Sequence, residues 1–98
     1  MQAMLDAISS PRRREILRLV WAQERSAGEI AARFDVSWPA ISQNLWILRR
    51  AGLLLERREA TRRLYRADRS AAGPLAVVLE QMWRADLARL QDVVRGEA

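Results

Sequence analysis

The sequence contains neither cysteine nor histidine. These absences exclude disulfide bonds, thiolate nucleophiles and imidazole bases, and they remove the side chains that most often bind transition metals. The 12 acidic residues lie among arginines without the spacing of a paired-carboxylate or phosphate-binding motif. We therefore expect no metal site, no cofactor and no enzymatic activity.

Lysine is also absent, so all 17 basic residues are arginine. They give a formal net charge of +5 and a sequence pI of about 11.3. Arginine binds phosphates and guanine edges through two hydrogen bonds at once, so this excess favours nucleic acid as a partner. Exclusive use of arginine is equally typical of a GC-rich genome, and composition alone leaves both explanations open.

No hydrophobic run approaches the roughly 18 residues of a membrane span, and the N-terminus lacks the pattern of a signal peptide. We expect a cytoplasmic protein with no membrane partner. The 98 residues, of which 50% are hydrophobic and 30% charged, have the composition of one folded domain. A domain of this size buries about 65% of its unfolded surface, which allows a compact core but no large enclosed active site.

The segment from Ser37 to Gly52 predicts a single capped helix. Ser37 can accept a hydrogen bond from the first turn, Pro39 is tolerated there without an N–H, and Gly52 can end the helix in the left-handed conformation. Helical periodicity places Ile41, Leu45 and Leu48 on one apolar stripe. The opposite side and its flanks carry Pro39, Ser42, Gln43, Trp46, Arg49 and Arg50. We interpret this segment as a DNA-recognition helix.

Another helix start lies shortly before this segment. Ser26 and Glu29 have the spacing of a capping box, and the apolar residues that follow predict a buried side. Residues 35–37 then predict a short turn. A helix, a tight turn and a second capped helix form the helix-turn-helix arrangement, and the alternative is any small helical bundle.

Two helices are predicted further towards the N-terminus. Residues 1–8 have the apolar spacing of a short amphipathic helix, and Ser9-Ser10-Pro11 marks the start of a helix that we expect to reach about Gln23. Three arginines, Arg12 to Arg14, fall in the first turn of this helix, where cations oppose the helix dipole. Two explanations stay open, namely a bound phosphate, or solvation together with pairing to nearby acidic residues.

A β-hairpin is predicted directly after the recognition helix. Residues 53–58 and 62–66 are β-compatible runs on either side of Glu59-Ala60-Thr61. The arginines near the tip are Arg57, Arg58, Arg62 and Arg63. We interpret the hairpin as a wing that grips the DNA backbone or minor groove beside the helix. Charged residues on an edge hairpin also prevent aggregation, which is the alternative explanation.

The chain ends with a long predicted helix that begins at Gly73-Pro74 and reaches about Arg95. Its apolar positions recur at three- and four-residue steps and comprise Leu75, Val78, Leu79, Met82, Trp83, Leu87, Leu90 and Val94. Such a stripe is buried well by a two-fold partner helix, and the helix at residues 1–8 can join the same interface.

These segments together resemble the ArsR-type winged helix-turn-helix transcriptional repressors over almost the whole chain. The similarity lies in residues 5–13, in the helix start at residues 26–31, in the recognition helix from Val36 to Leu53, and in Arg63-Leu64-Tyr65 on the second wing strand. The resemblance implies a homodimer that binds operator DNA and releases it on a signal.

Three features differ from the family pattern. The Cys and His motifs of metal-sensing members are missing, so we expect no metal response. Trp38 and Trp46 stand where relatives commonly have polar or basic residues. Ala60 stands at the wing tip where glycine is common, so the turn geometry is expected to differ.

We therefore predict a mainly α fold with a small β-hairpin, as one winged helix-turn-helix domain spanning residues 1–98. Residues 9–67 form the DNA-binding core with the wing at 53–67, and the helices at 1–8 and 71–95 form the dimer. The predicted DNA contacts are Ser37, Trp38, Pro39, Ala40, Ser42, Gln43, Trp46, Arg49, Arg57, Arg58, Arg62 and Arg63. The predicted dimer contacts are Met4, Leu5, Leu79, Met82, Trp83, Leu87, Leu90 and Val94.

The predicted function is sequence-specific binding of double-stranded DNA by a transcriptional regulator, as a homodimeric repressor on a palindromic operator. Ser42 and Gln43 would reach base edges, and Trp38 with Pro39 would pack on sugar or thymine methyl groups. The alternative is a protein-interaction module that uses Trp38 and Trp46 as exposed anchors. A small-molecule or protein effector stays open.

Overall fold

The computed structural model describes residues 1–96, which contain six helices and a three-stranded antiparallel sheet. The helices are α1 (Gln2–Ile8), α2 (Pro11–Leu19), α3 (Ala27–Ala31), α4 (Trp38–Arg50), α5 (Arg69–Ala72) and α6 (Pro74–Val94). The strands are β1 (Arg25–Ser26), β2 (Leu54–Glu59) and β3 (Arg62–Ala67), in the order β1-β3-β2. The expected mainly helical fold with a β-hairpin is confirmed. Within the described range, no helix is both long and apolar enough to cross a membrane.

The predicted recognition helix is α4, and its predicted caps are present. The Ser37 hydroxyl accepts a hydrogen bond from the Ala40 N–H at 3.4 Å, and Pro39 lies in the first turn. Gly52 follows the helix with a φ of 87°, a left-handed conformation in which a side chain would be strained. The apolar stripe of α4 is fully buried and consists of Ile41, Leu45 and Leu48. Local signals therefore determine both ends of this helix and the side that it buries.

The helix before it, α3, begins with the predicted capping box. The Ser26 hydroxyl accepts from the Glu29 N–H at 3.1 Å, and the Glu29 carboxylate accepts from the Ser26 N–H at 2.9 Å. The helix has only five residues, and Phe34 lies in the turn that follows it rather than in the helix. Ile30 is completely buried and attaches this short helix to the core.

The wing is a three-stranded unit rather than a free hairpin. β2 and β3 pair from Leu54↔Ala67 to Glu59↔Arg62, as expected. In addition, β1 pairs with the outer side of β3, with Arg25 opposite Tyr65. β1 was not predicted, because a two-residue strand has no periodicity. This strand immediately precedes α3, so it attaches the wing to the helix-turn-helix.

The wing tip is a two-residue loop, Ala60-Thr61, in which Ala60 has a φ of 56°. Only the first loop residue has a positive φ, which is the pattern of a type II′ turn and favours glycine. The left-handed conformation costs a residue with a Cβ about 1–2 kcal/mol. Ala60 therefore adopts a conformation that favours glycine.

We expect Ala60→Gly to raise the free energy of unfolding by about 1 kcal/mol, because glycine removes this strain but loses more chain entropy on folding. The matched control is Thr61→Gly, which relieves no positive φ and should lower the free energy of unfolding by about 0.5–1 kcal/mol. Urea unfolding of both variants measures the two values. Equal changes in both variants would contradict the assignment of strain to Ala60.

The second helix is shorter than predicted, since α2 ends at Leu19 and not near Gln23. Val20 and Trp21 are buried, but they lie in the turn after the helix and not within it. The Val20 carbonyl accepts a hydrogen bond from the Ala67 N–H at 3.0 Å. This carbonyl therefore bonds the end of β3 instead of an N–H of a continued helix. The sequence analysis also missed α5, a short helix capped by Asp68.

Two of the three arginines in the first turn of α2 bind the end of α1. Arg13 Nε donates to the Ala7 carbonyl at 2.6 Å, and Arg14 Nη1 donates to the Ile8 carbonyl at 2.8 Å. The last carbonyls of a helix have no partner within the helix and carry partial negative charge, so cations stabilise them. Arg13 Nη1 also donates to Asn44 Oδ1 of α4 at 3.4 Å. Most of these contacts are thus backbone carbonyls of the same chain, which neither of the two expected explanations included.

The terminal helix α6 is attached to the core only through its first half. Leu75 and Leu79 are buried, and the Trp83 ring meets the edge of Trp21 with ring centroids 5.0 Å apart. Beyond Trp83 the helix leaves the core, and Leu87 and Leu90 are mostly exposed. The described residues extend 47 Å along the longest axis.

Candidate DNA-binding surface

The outward side of α4 is exposed and carries no acidic residue from Trp38 to Arg50. Trp38 and Trp46 have 54% and 56% of their surface exposed, although tryptophan is usually well covered. Five of the predicted contacts line one shallow depression on this side, namely Trp38, Pro39, Ser42, Gln43 and Trp46. Two other predicted contacts lie apart from the depression. Ala40 is half-buried, and the Ser37 hydroxyl already serves as the helix cap.

The Trp46 ring is held by an arginine of its own helix. The Arg50 guanidinium lies over the ring, 5.4 Å from the ring centroid, one helical turn further along. Such a cation–π contact at an exposed site is worth about 0.5–1 kcal/mol. Trp46 also borders a second depression beside α1, which Asp6 lines as well. Both tryptophans are therefore more than half exposed, and Arg50 stabilises the orientation of one of them.

The wing arginine Arg57 forms a bidentate ion pair with Glu24, which lies just before β1. Its Nε and Nη2 atoms donate to the two carboxylate oxygens at 2.8 and 2.7 Å, and Nη2 also contacts Glu59 at 3.2 Å. The hydrogen bond from Arg57 lowers the pKa of Glu24, and the same bond raises the pKa of Arg57. Arg57 therefore supports the sheet, and a phosphate would have to compete with two carboxylates for it.

Arg62, at the start of β3, pairs with the capping-box glutamate of α3. Arg62 Nη2 lies 3.2 Å from Glu29 Oε1, and both side chains are exposed. The pKa of Glu29 is lowered mainly by the backbone N–H and the hydroxyl of Ser26, with a smaller effect from Arg62. Glu29 thus keeps its main partners if Arg62 moves to a phosphate. Solvent screens an exposed pair of this kind, so such an exchange costs little.

Glu56 on β2 lies between two predicted DNA contacts. Its carboxylate is 2.9 Å from Arg49 Nη1 and 3.7 Å from Arg63 Nη1, and only 12% of its side chain is exposed. This arrangement ties the last turn of α4 to the wing. Beside it, burial and then the charge of Glu56 raise the pKa of the Tyr65 hydroxyl. Arg49 therefore links the helix to the wing, and Arg63 links the two long strands within the wing.

Four exposed arginines of α4, the turn before it and the wing form no ion pair with a carboxylate of residues 1–96, namely Arg33, Arg50, Arg58 and Arg66. Only Arg58 was among the predicted contacts. Arg33 was not among the predicted DNA contacts. It lies in the turn between α3 and α4, and this position next to the recognition helix could have marked it as a candidate. Sequence reasoning could not separate paired from unpaired arginines, since Arg57 and Arg62 each pair with a residue 33 positions away.

The predicted dimer contacts divide into exposed and covered groups. Leu5, Met82, Leu87, Leu90 and Val94 are exposed. Met4 and Trp83 are half-buried against their own core. Leu79 is completely buried, because α6 is still attached to the core at this point, so it is not part of the exposed apolar surface. That surface also includes Val78, which belongs to the predicted apolar stripe, and Val77 and Val93, which the prediction had not named.

A short helix, a turn, a capped helix and an attached wing define the class of winged helix-turn-helix proteins. The family model described as "Bacterial regulatory protein, arsR family" matches residues 10–55. The HTH-type transcriptional regulator Rv2034 of Mycobacterium tuberculosis is 31% identical over 91 residues, which are 93% of this chain and 85% of that protein. The transcriptional repressor SdpR of Bacillus subtilis is 41% identical over 59 residues, 60% of this chain and 66% of that protein.

Solved structures agree with this assignment. Reduced HlyU from Vibrio cholerae has a TM-score of 0.75 at 32% identity, covering 85% of this chain and 84% of that one. The homodimeric winged helix-turn-helix DNA-binding domain of Mb0332 from Mycobacterium bovis has a TM-score of 0.73 at 29% identity, covering 85% of this chain and 77% of that one. The chain belongs to the ArsR family and is a winged helix-turn-helix transcriptional regulator.

Proposed function

We propose that the protein is a cytoplasmic homodimeric repressor that binds a palindromic operator, with α4 in the major groove. The observation that carries this proposal is the outward side of α4. It has no acidic residue from Trp38 to Arg50, and it exposes Ser42 and Gln43, whose side chains can bond base edges. A surface of this kind is compatible with the negative potential of DNA and still offers groups that distinguish bases.

The arginines around α4 would bind the phosphates. Arg33 and Arg58 have no carboxylate partner among residues 1–96, whereas Arg50 would first leave the face of Trp46 and Arg62 would first leave Glu29. Arg49, Arg57 and Arg63 keep carboxylate partners that hold the wing, so we assign them a mainly positioning role. Phosphate contacts fix the register of the protein on the duplex, and α4 reads the sequence.

Homodimer formation is proposed from the exposed apolar part of α6 together with Leu5 of α1. Large exposed apolar patches rimmed by polar residues mark interaction surfaces, and two-fold dimers are the commonest assembly. The relative Mb0332 is described as homodimeric. We propose repression because three relatives, SdpR among them, are named repressors, whereas one, HlyU of Vibrio cholerae, is named an activator. We also propose that the protein is not an enzyme, since its family and named relatives are regulators.

Selection of binding sites from random duplex DNA tests this function. We expect an inverted repeat whose half-site centres lie about 10 base pairs apart, because a two-fold dimer places its recognition helices roughly one helical turn apart. Binding should weaken steeply as salt is raised. Failure to enrich any sequence would refute the proposal, and an enriched site without two-fold symmetry would refute the dimer.

A second candidate function is protein interaction through Trp38 and Trp46, and the exposure of both rings favours it. The two functions differ in their dependence on salt and sequence. A protein-interaction module would show only weak duplex binding with no preferred sequence. The same selection experiment therefore distinguishes them.

We expect zinc, nickel and manganese to leave operator affinity unchanged. The chain has no thiolate or imidazole donor, and in residues 1–96 no three acidic side chains are grouped as metal ligands would be. Titrating each metal into the protein–operator complex and following fluorescence anisotropy measures the effect. A stoichiometric loss of affinity that a chelator reverses, and that acid-to-amide variants abolish, would contradict this prediction.

A further inference from the structure

The exposed tryptophans of α4 need an explanation that arginine contacts to phosphate do not provide. Trp38 and Trp46 lie on one side of the helix, and Ser42 and Gln43 lie between them in the same depression. Two large aromatic side chains that are more than half exposed on one surface indicate an interaction site. Their partner must offer an apolar group to each ring.

The charge around the rings limits the kind of partner. Arg49 and Arg50 follow Trp46 in the last turn, and α4 itself contains no carboxylate. This surface suits a polyanion, as the proposed function requires. In the major groove of DNA, the apolar group on a base edge is the methyl group at C5 of thymine, which 5-methylcytosine also carries and which cytosine and uracil lack.

The polar residues between the rings point to the same base pair. A glutamine side chain pairs bidentately with N6 and N7 of adenine, and the partner of adenine is thymine. Gln43 can therefore bond an adenine while a neighbouring ring covers a thymine methyl group. The side of α4 formed by Trp38 and Gln43 is thus complementary to A·T pairs, and the arginines that favour guanine stand at the far end of the helix.

Helix geometry separates the two rings. Eight residues correspond to about 12 Å along the axis, which is roughly three or four base-pair steps. Trp38 is the first residue of α4, and the N-terminal end of a recognition helix approaches the bases most closely. The cation–π contact with Arg50 holds the Trp46 ring in place before DNA arrives, so little rotamer entropy is lost on binding.

We propose that Trp38 and Trp46 make the recognition helix a reader of pyrimidine C5-methyl groups, so that each ring selects thymine over uracil or cytosine at one position of each half-site. This inference rests on the proposed function, and it adds the chemical group by which the operator is recognised. The contact is apolar, so it adds selectivity without adding salt dependence.

Methyl deletion on the DNA tests the proposal with the unchanged protein. In the selected operator, thymines are replaced one at a time by deoxyuridine, and affinity is measured at one salt concentration. We expect a loss of about fourfold at each contacted thymine, which corresponds to about 0.8 kcal/mol for one buried methyl group. Replacing the equivalent thymine in both half-sites should lower the affinity about fifteenfold. The other thymines should show no change.

Protein variants assign each methyl group to a ring. The measured quantity is the ratio of the affinity for thymine to the affinity for deoxyuridine at each contacted position. Trp38→Ala and Trp46→Ala should each bring this ratio to about one at the position that the ring contacts, and should leave it unchanged at the other position. Leu55→Ala is the matched control, because Leu55 is 54% exposed on β2 and should leave both ratios unchanged. Changing a contacted thymine to cytosine weakens binding, and adding a C5-methyl group to that cytosine should recover about fourfold.

The outcomes separate this inference from the proposed function. A selected operator that binds equally well with deoxyuridine throughout would overturn the inference and leave the repressor intact. The inference would likewise be overturned if both tryptophan variants kept the wild-type ratio of thymine to deoxyuridine affinity at both positions. If no sequence is selected at all, both proposals fail, and the rings become candidates for protein anchors.

Discussion

Replacing Leu87 by arginine is expected to give a monomer whose operator affinity is lower by about 10²–10⁴-fold, because binding of the two half-sites is no longer linked. Leu87 and Leu90 are 55% and 63% exposed on the part of α6 that has left the core. In a two-fold interface each substitution occurs twice, and an arginine there would be buried without a partner charge. The free energy of unfolding of the monomer should change little, since Leu87 lies outside its core.

The matched control is Ala88→Arg, which adds the same charge at the next residue. Ala88 is also exposed but points away from the apolar row formed by Trp83, Leu90 and Val94. Sedimentation equilibrium at micromolar concentration should show a dimer for the wild type and for Ala88→Arg, and a monomer for Leu87→Arg. A monomeric wild type, or a dimeric Leu87→Arg, would show that α6 does not form the interface.

Gln43→Ala and Arg62→Ala are expected to affect DNA binding in different ways. The Gln43 change should reduce the binding free energy by about 1–3 kcal/mol per half-site on the operator, because the Gln43 side chain bonds a base edge. Binding to unrelated DNA should hardly change. The Arg62 change should weaken binding to all sequences and lower the slope of log affinity against log salt by about one, because its partner is a phosphate. Titrations of operator and unrelated duplexes at several salt concentrations measure both effects.

Two variants on α6 serve as controls for this comparison. Gln81→Ala removes an exposed amide, and Arg84→Ala removes an exposed charge, at positions far along the chain from α4 and the wing. Neither should change operator preference or the salt slope. Equal losses on both kinds of DNA for Gln43→Ala would remove Gln43 from the base-reading residues. An unchanged slope for Arg62→Ala would mean that Arg62 stays with Glu29 on DNA.

Local signals in the sequence by themselves determined the elements that present the site. The Ser26–Glu29 capping box and the Ser37 cap each act over three residues, and Gly52 ends α4 through its own backbone freedom. Periodicity then placed Ile41, Leu45 and Leu48 inside and Gln43 outside. Interactions of this range depend on neighbouring residues alone, so they can be predicted before the chain is folded.

Only the tertiary structure decided which of these residues are available to a partner. Arg57 and Arg58 are adjacent and identical in the sequence, yet Arg57 is held by Glu24, whereas Arg58 forms no ion pair within residues 1–96. Leu79 and Leu87 belong to one helical stripe, yet the first is in the core and the second is exposed where α6 leaves it. Pairing and burial depend on distances between segments that are far apart in the chain, and no periodicity or cap encodes those distances.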